Sequence, residues 1–330
     1  MRYLQSSALV FLSVVIVLSA MSAESWVVPT KQLDQTVIKT ITVGSNGDYS
    51  TIQSAIDSVP SNNDNWIRVY VKGGDYREKV VIPQDKPYII LEGDESATTT
   101  ILWNDYDDIE KPTFAVLADN FVAKSISFKN TAYNENPRHL KAVAALIAGD
   151  KSAFYKCSFY GVQDTLYDKQ GRHYFRSCYI EGAVDFIFGN GQSIYESCSI
   201  HVTGEVLGPG FVGFITAQSR SSPKENTGFV FKSCRVFGCG ATFLGRAWGR
   251  YSRVMFYQSD ISNVVVPLGW DAWNFTGNEE TILYAEHECS GSGSNRSKRV
   301  SWIKELSDKD AAQLADISFI DQEGWLRNQP

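Results

Sequence analysis

Along most of this chain the apolar positions alternate with polar ones instead of recurring at helical spacing. From Trp66 onward, short runs rich in β-branched and aromatic residues are separated by Gly, Asn and Asp: "WIRVYVKGG", "YIILEGD", "FAVLADN", "AALIAGD", "FITAQSR" and "RVMFYQSD". Runs of this length, with no helical segment between them, predict an all-β chain. Two stretches differ. "GSNGDYSTIQSAIDSVP" (44–60) places Ile52, Ala55, Ile56 and Val59 on one apolar face, which predicts a short N-terminal helix capped by Ser50 and stopped by Pro60. "SWIKELSDKDAAQLADISFI" (301–320) predicts a partly helical C-terminal segment that covers an end or a side of the β structure.

The strands also repeat. "SAFYKCSFYG" (152–161), "HYFRSCYIEG" (173–182), "SIYESCSIHV" (193–202) and "GFVFKSCRVFG" (228–238) each alternate up to a Cys and then step outward. "FVAKSISFKN" (121–130) and "VMFYQSDISN" (254–263) are weaker copies without the Cys. Cys157, Cys178 and Cys198 stand 21 and 20 residues apart. A period of this size in short β units is the signature of a solenoid in which like residues stack coil on coil. A β-sandwich also has many short strands, but it does not require one residue type to recur at one coil length. The pattern favours a right-handed parallel β-helix.

The first 25 residues, "MRYLQSSALVFLSVVIVLSAMSAES", carry one Arg, an apolar run from about Ala8 to Leu18 and then small residues. This is the pattern of a secretory signal peptide, with cleavage expected after Ala20 or Ala23. The run falls short of the roughly 20 apolar residues that span a bilayer. The expected organisation is a signal peptide over 1–23, a short lead over 24–40 and a catalytic domain over 41–330. A formal charge of −6 with no basic run argues against nucleic acid as a partner, and no later stretch suits a membrane. Asn274-Phe275-Thr276 and Asn295-Arg296-Ser297 are N-glycosylation acceptors that fit a secreted product. The six cysteines form no CxxC pair and the four histidines do not cluster, so no metal or other cofactor is expected. The cysteine spacing alone leaves disulfides and a free stacked ladder equally open.

The chemistry is best placed in "GVQDTLYDKQGRHYFRSCYIEGAVDFIFGNG" (161–191), where Asp164 and Asp185 each stand among large apolar neighbours. Each follows a repeat cysteine by seven residues, so stacked cysteines imply neighbouring aspartates. Adjacent strands lie about 4.8 Å apart. Two carboxylates so close in apolar surroundings cannot both ionise cheaply: one keeps its proton and the other is left as a nucleophile or base. There is no GxSxG elbow, HExxH pair or glycine-rich phosphate loop to support a serine hydrolase, a metalloprotease or a nucleotide enzyme.

At these residues the sequence resembles the plant pectinesterases. The likeness runs from about Gly44 to Trp325 and includes, in order, "GSNGDYSTIQSAI", "GDYREKV", "GVQDTLY", "GAVDFIFGNG", "ITAQSR", "NTGFVF", "LGRAW", "YSRVMF" and "GWDAW". The resemblance implies a right-handed single-stranded parallel β-helix in the short form, without the inhibitor-like pro-region. It implies a secreted, monomeric cell-wall enzyme that hydrolyses methyl esters of galacturonic acid units in pectin and is open to a proteinaceous pectinesterase inhibitor. By motif, it assigns Asp185 as nucleophile, Asp164 as acid and then base, and Gln163 as oxyanion donor. Arg246 would orient Asp185, Trp248 would form part of the sugar-binding wall, and Thr113 falls at a substrate-contact position.

The chain departs from the family pattern in "KAVAAL", where Lys141 occupies a position usually held by an oxyanion-stabilising Gln. Ala247 also replaces the usual Pro of "LGRPW". A cation in place of a neutral amide is expected to lower the raised pKa of Asp164, and a lost donor costs roughly 10²–10³ in rate. The competing readings are a relative that binds pectin with little turnover and another β-helix enzyme, a polygalacturonase or a lyase. A lyase needs a proton-abstracting base and commonly a carboxylate cluster for Ca²⁺, for which the sequence has no convincing set.

Overall fold

The computed structural model describes residues 36–135 and 141–330. The expected signal peptide and most of the expected lead segment lie outside them. The strands form three parallel sheets, one of ten strands and two of eight, and each sheet adds strands in coil order. We call them sheets I, II and III. One coil shows the plan: Ser152–Tyr155 in sheet I, Ser158–Tyr160 in sheet II, Leu166–Asp168 in sheet III, and then Arg172–Arg176 back in sheet I. The chain is a right-handed parallel β-helix.

The repeat seen in the sequence is the corner between sheets I and II. Ser125, Lys156, Ser177, Ser197, Ser233, Gln258 and Glu288 each sit there in the left-handed region, with φ between 49 and 55°. One such residue bends the chain sharply while its N–H still points along the solenoid axis. Ser177 N–H donates to the Glu196 carbonyl at 2.9 Å and Ser197 N–H to the Lys232 carbonyl at 2.9 Å, so the inter-coil ladder continues through the bend. The next residue points inward, and Ile126, Cys157, Cys178, Cys198, Cys234, Ser259 and Cys289 fill that place in turn. From Cys157 onward the position holds a small Cys or Ser, and several of these donate to the coil before. Cys178, Cys198 and Cys234 approach the carbonyls of Phe154, Phe175 and Tyr195 at 3.4, 3.4 and 3.2 Å, and Ser259 does the same to Phe231 at 3.2 Å. All six cysteines are free thiols.

Three residues before Cys157, Cys178, Cys198, Cys234 and Ser259 lies an aromatic ring. Phe154, Phe175, Tyr195, Phe231 and Phe256 stack face to face through the core at 4.5–4.9 Å between ring centroids. Such pairs add to the area they bury. Tyr195 brings a hydroxyl into this dry stack, and it donates to Asp168 at 2.6 Å. Asp168 also receives the His173 ring Nδ1 at 2.5 Å, and the other ring nitrogen faces the Gly149 carbonyl at 3.0 Å. Gly191 is required beside them, since a Cβ there would stand 2.0 Å from the Asp168 carboxylate.

The N-terminal helix spans Ile52–Asp57, shorter than the sequence pattern suggested, and its cap is Thr51, not Ser50. Ile52, Ala55 and Ile56 face the core, and the Glu78 carboxylate takes the N–H groups of Ile52 and Gln53 at 2.8 and 3.0 Å. The C-terminal helix, Asp308–Leu314, is capped by Ser307. It covers a side of the solenoid: Ala311, Ala315, Ile320 and Trp325 pack on the outer column of sheet I formed by Ala153, Tyr174, Ile194, Val230, Met255 and Ala285. Arg299 joins this segment to the core through Glu286, with contacts of 2.8 and 2.9 Å between two fully buried side chains.

Candidate active site

Register decides whether Asp164 and Asp185 meet. Gln163 bridges Val184, and Leu166 and Tyr167 pair with Ile187 and Phe188. The offset is the same on both sides, so the two aspartates occupy equivalent places on adjacent coils, at the entry to sheet III. Both are left-handed, with φ of 62° for Asp164 and 48° for Asp185. On the next coil the register slips between Val184 and Ile187, a bulge centred on Asp185. Aspartate tolerates this conformation better than most residues, yet each such position costs about 1–3 kcal/mol. The strain turns both carboxylates out of the strand pleat at one spot on the cleft floor.

They are not equivalent electrostatically. Arg246, on strand Ala241–Ala247, donates Nε to one oxygen of Asp185 at 2.8 Å and Nη2 to the other at 2.6 Å. Burial pushes Asp185 up, and the Arg246 hydrogen bonds and charge oppose it. Asp164 has no such partner. Burial first, then the Asp185 charge, raises it to about 7, against a pull downward by Lys141 and Arg246. The shared proton therefore resides on Asp164, and Asp185 is the carboxylate.

Aromatic side chains surround the pair. Ala115, Leu146, Tyr167, Phe188, Ala217, Arg246 and Asp271 form one column across sheet III. Tyr167 and Phe188 stack at 4.4 Å as its floor. Ala217 is small enough for Arg246 to reach back over it to Asp185. Trp248, 40% exposed, stands 6.0 Å from Phe188 between ring centroids. Trp273, 46% exposed, carries the Arg246 guanidinium 4.5 Å from its ring and packs on Phe214. Arg246 is thus fixed on one side by a carboxylate and on the other by an indole face.

Such a site, a strained acid–carboxylate pair in an open aromatic trough, suits acyl transfer on a sugar polymer. Comparison with known proteins agrees with it. The family profile described as Pectinesterase matches residues 39–323. This chain belongs to the pectinesterase family. Probable pectinesterase 29 of Arabidopsis thaliana is 54% identical over 293 residues, covering 86% of this chain and 87% of its own. Probable pectinesterase 55 of the same plant is 53% identical over 293 residues, covering 86% of this chain and 88% of its own. Among solved structures, pectin methylesterase from carrot superposes with a TM-score of 0.83 at 34% identity, covering 88% of this chain and 96% of its own.

In this pectinesterase the residues named from sequence divide into four groups. Asp164, Asp185 and Arg246 come together, Gln163 adjoins Asp164 and bridges Val184, and Trp248 stands against Phe188 beside them. Lys141 is next to them: it bridges Gln163 one coil earlier, is exposed, and its charge reaches Asp164. Thr113 is fully buried, and its hydroxyl donates to the Lys129 carbonyl at 3.3 Å, so its side chain does not line the cleft. Asn274 and Asn295 are both exposed, as glycan acceptors must be. Sequence reasoning missed Tyr167, Phe188, Phe214 and Trp273 as cleft residues. Their signal was present in "QDTLY", "DFIF", "FITAQSR" and "GWDAW", but aromatics in strands read first as core. No group of three or more His, Cys, Asp or Glu able to hold a metal occurs among the described residues.

Proposed function

We propose that this pectinesterase hydrolyses the methyl esters of galacturonic acid units in pectin through an acyl-enzyme on Asp185. The observation that carries the mechanism is the asymmetry of the pair: Arg246 grips Asp185 through both oxygens, while Asp164 is buried beside it and holds a proton. In the first step an Asp185 oxygen attacks the ester carbonyl carbon. As the tetrahedral intermediate collapses, the bond to the methoxy oxygen breaks, and that oxygen takes the Asp164 proton and leaves as methanol. A mixed anhydride remains. Asp164, now a carboxylate, removes a proton from water, whose oxygen attacks the sugar carbonyl carbon. Asp185 departs as the carboxylate, and a galacturonic acid unit is released, which then loses its own proton to solvent. The net change is ester plus water to acid plus methanol, with Asp164 again protonated.

Gln163 donates to the oxyanion, and Lys141 supplies a cation where a second amide would act. Trp248 and Trp273 hold sugar rings against the cleft walls. The polymeric substrate, the leader-like N-terminus and the two exposed sequons support an extracellular, cell-wall location, and a monomer open to a protein inhibitor fits the same reading. The test is methanol release from highly methylated pectin by the purified mature chain and by Asp185→Ala. The variant is expected to release none above background. Methanol release unchanged by Asp185→Ala would overturn the mechanism, and none from the unaltered chain would overturn the function.

A further inference from the structure

On the outer face of sheet I, away from the aspartate pair, lies a second cavity of about 390 Å³. Its floor comes from the solenoid and its roof from the C-terminal segment, including Gln313, Leu314 and Phe319. The volume is within the range of small-ligand sites.

Its chemistry is specific. Arg253 lines the cavity, and its Nε is buried with no hydrogen-bond partner. The guanidinium makes one contact, from Nη1 to the Asn226 carbonyl at 3.2 Å. Burial, and then the like charge of Arg220, pull it down to about 10, so it remains a cation at neutral pH. A half-buried guanidinium with a second cation nearby and no carboxylate paired to it among the described residues is costly. It is also out of keeping with a chain of net charge −6.

The other polar groups suit hydroxyls. Gln313 and Gln322 present amides, Gln192 already donates its amide N–H to the Phe319 carbonyl and keeps its oxygen, and Asp310 presents a carboxylate already bonded by Ser307 at 2.7 Å. Leu306, Leu314 and Phe319 supply the apolar side. A carboxylate for Arg253, hydroxyls for the amides and Asp310, and a C–H face for the leucines together describe an acidic sugar.

We propose that this cavity is a non-catalytic binding site for a uronate residue, with Arg253 pairing its carboxylate. The choice of galacturonate among acidic sugars rests on the pectinesterase reading, whereas the site itself does not. It takes the de-esterified product and refuses the methyl ester, which has no charge to offer Arg253. An enzyme with such a site on its flank stays attached to stretches it has already processed.

The experiment is a calorimetric titration with trigalacturonate and with its fully methylated counterpart, beside methanol release from methylated pectin. The proteins are the mature chain, Arg253→Met, Gln313→Trp and Trp248→Ala. Arg253→Met keeps the aliphatic packing, and Gln313→Trp fills the cavity from an exposed position without touching Arg253. Binding of the free acid that survives Trp248→Ala, and weakens about tenfold or more in both cavity variants, supports the site. Methanol release from short substrates is expected to be unchanged in those two variants. Equal affinity in the mature chain and both cavity variants would overturn the site. So would no binding of the free acid, or binding lost only in Trp248→Ala. Binding that depends on Arg253 in a chain that releases no methanol would leave the site standing and remove the esterase reading. Methanol release without such binding would do the reverse.

Discussion

Arg246 and Asp185 lie on strands two coils apart and meet in a two-point ion pair, at 2.8 and 2.6 Å. That fork does two things at once: it aims the proposed nucleophile, and it favours the charge on Asp185 over its neighbour.

Arg246→Gln removes the charge and the fork together. Asp185 is then a buried carboxylate beside Asp164 with no partner, and it holds a proton to higher pH. We expect kcat/KM on methylated pectin to fall about a hundredfold or more, the scale of losing one aligned electrostatic group. Arg246→Lys keeps a charge but offers no planar fork, and it should recover only part of the loss. Equal rates for the lysine variant and the unaltered chain would show that orientation is unimportant.

Asp164 sets the basic limb of activity. In the proposed mechanism it acts first as an acid, so kcat/KM should fall as pH rises through about 7, where its proton is lost. The acid limb follows Asp185, which must be ionised and whose pKa burial raises.

The same group weakens the fold. Folded Asp164 keeps its proton to about 7, against 3.8 for an ordinary aspartate. Between these values the folded state binds more protons than the unfolded one, so stability declines as pH rises. Asp164→Asn removes that penalty. It should be inactive yet more stable above pH 7, by up to about 4 kcal/mol, with the gain fading below pH 4. Denaturant melts of both proteins at pH 3.5 and 8 give the comparison, and a gain independent of pH would rule out the protonation account.

Lys141 lowers the pKa of Asp164. Lys141→Gln should therefore move the basic limb of kcat/KM to higher pH, while restoring an amide at the oxyanion. A pH–rate profile of the two proteins measures it. An unmoved limb would place the ammonium too far from Asp164 to act.

The stacked cysteines are thiols. Burial drives Cys178 and Cys234 well above the ordinary thiol range, so they resist oxidation and alkylation in the folded state. The melting temperature should be the same with and without reductant, and titration after denaturation should find six thiols. A melting temperature lowered by reductant would mean that a disulfide forms.

Much of this was legible beforehand because a solenoid repeats its sequence along with its structure. The cysteine period gave the coil length, and adding seven residues to two cysteines placed Asp164 above Asp185. The aromatic before Cys157, Cys178, Cys198 and Cys234 belongs to the core stack, though its face-to-face geometry was not foreseen. Thr113 shows the limit. Its motif position suggested the cleft, but a one-residue difference in direction on a strand separates surface from core, and its hydroxyl turned inward.

What the sequence by itself determined is everything that depends on period: strands, coil length, handedness by family resemblance, and the pairing of two aspartates one coil apart. Only the tertiary structure decided what depends on direction across coils. Arg246 reaches Asp185 because the intervening side chain is Ala217. Trp273 comes from a still later coil to cover Arg246, and Arg253, with no carboxylate paired to it among the described residues, shares a cavity with the C-terminal segment. Contacts of this kind join residues tens of positions apart in the chain, and no local pattern records them. The stacked pair at Asp164 and Asp185 was readable; the electrostatic difference between them lay in the side chains that closed around them.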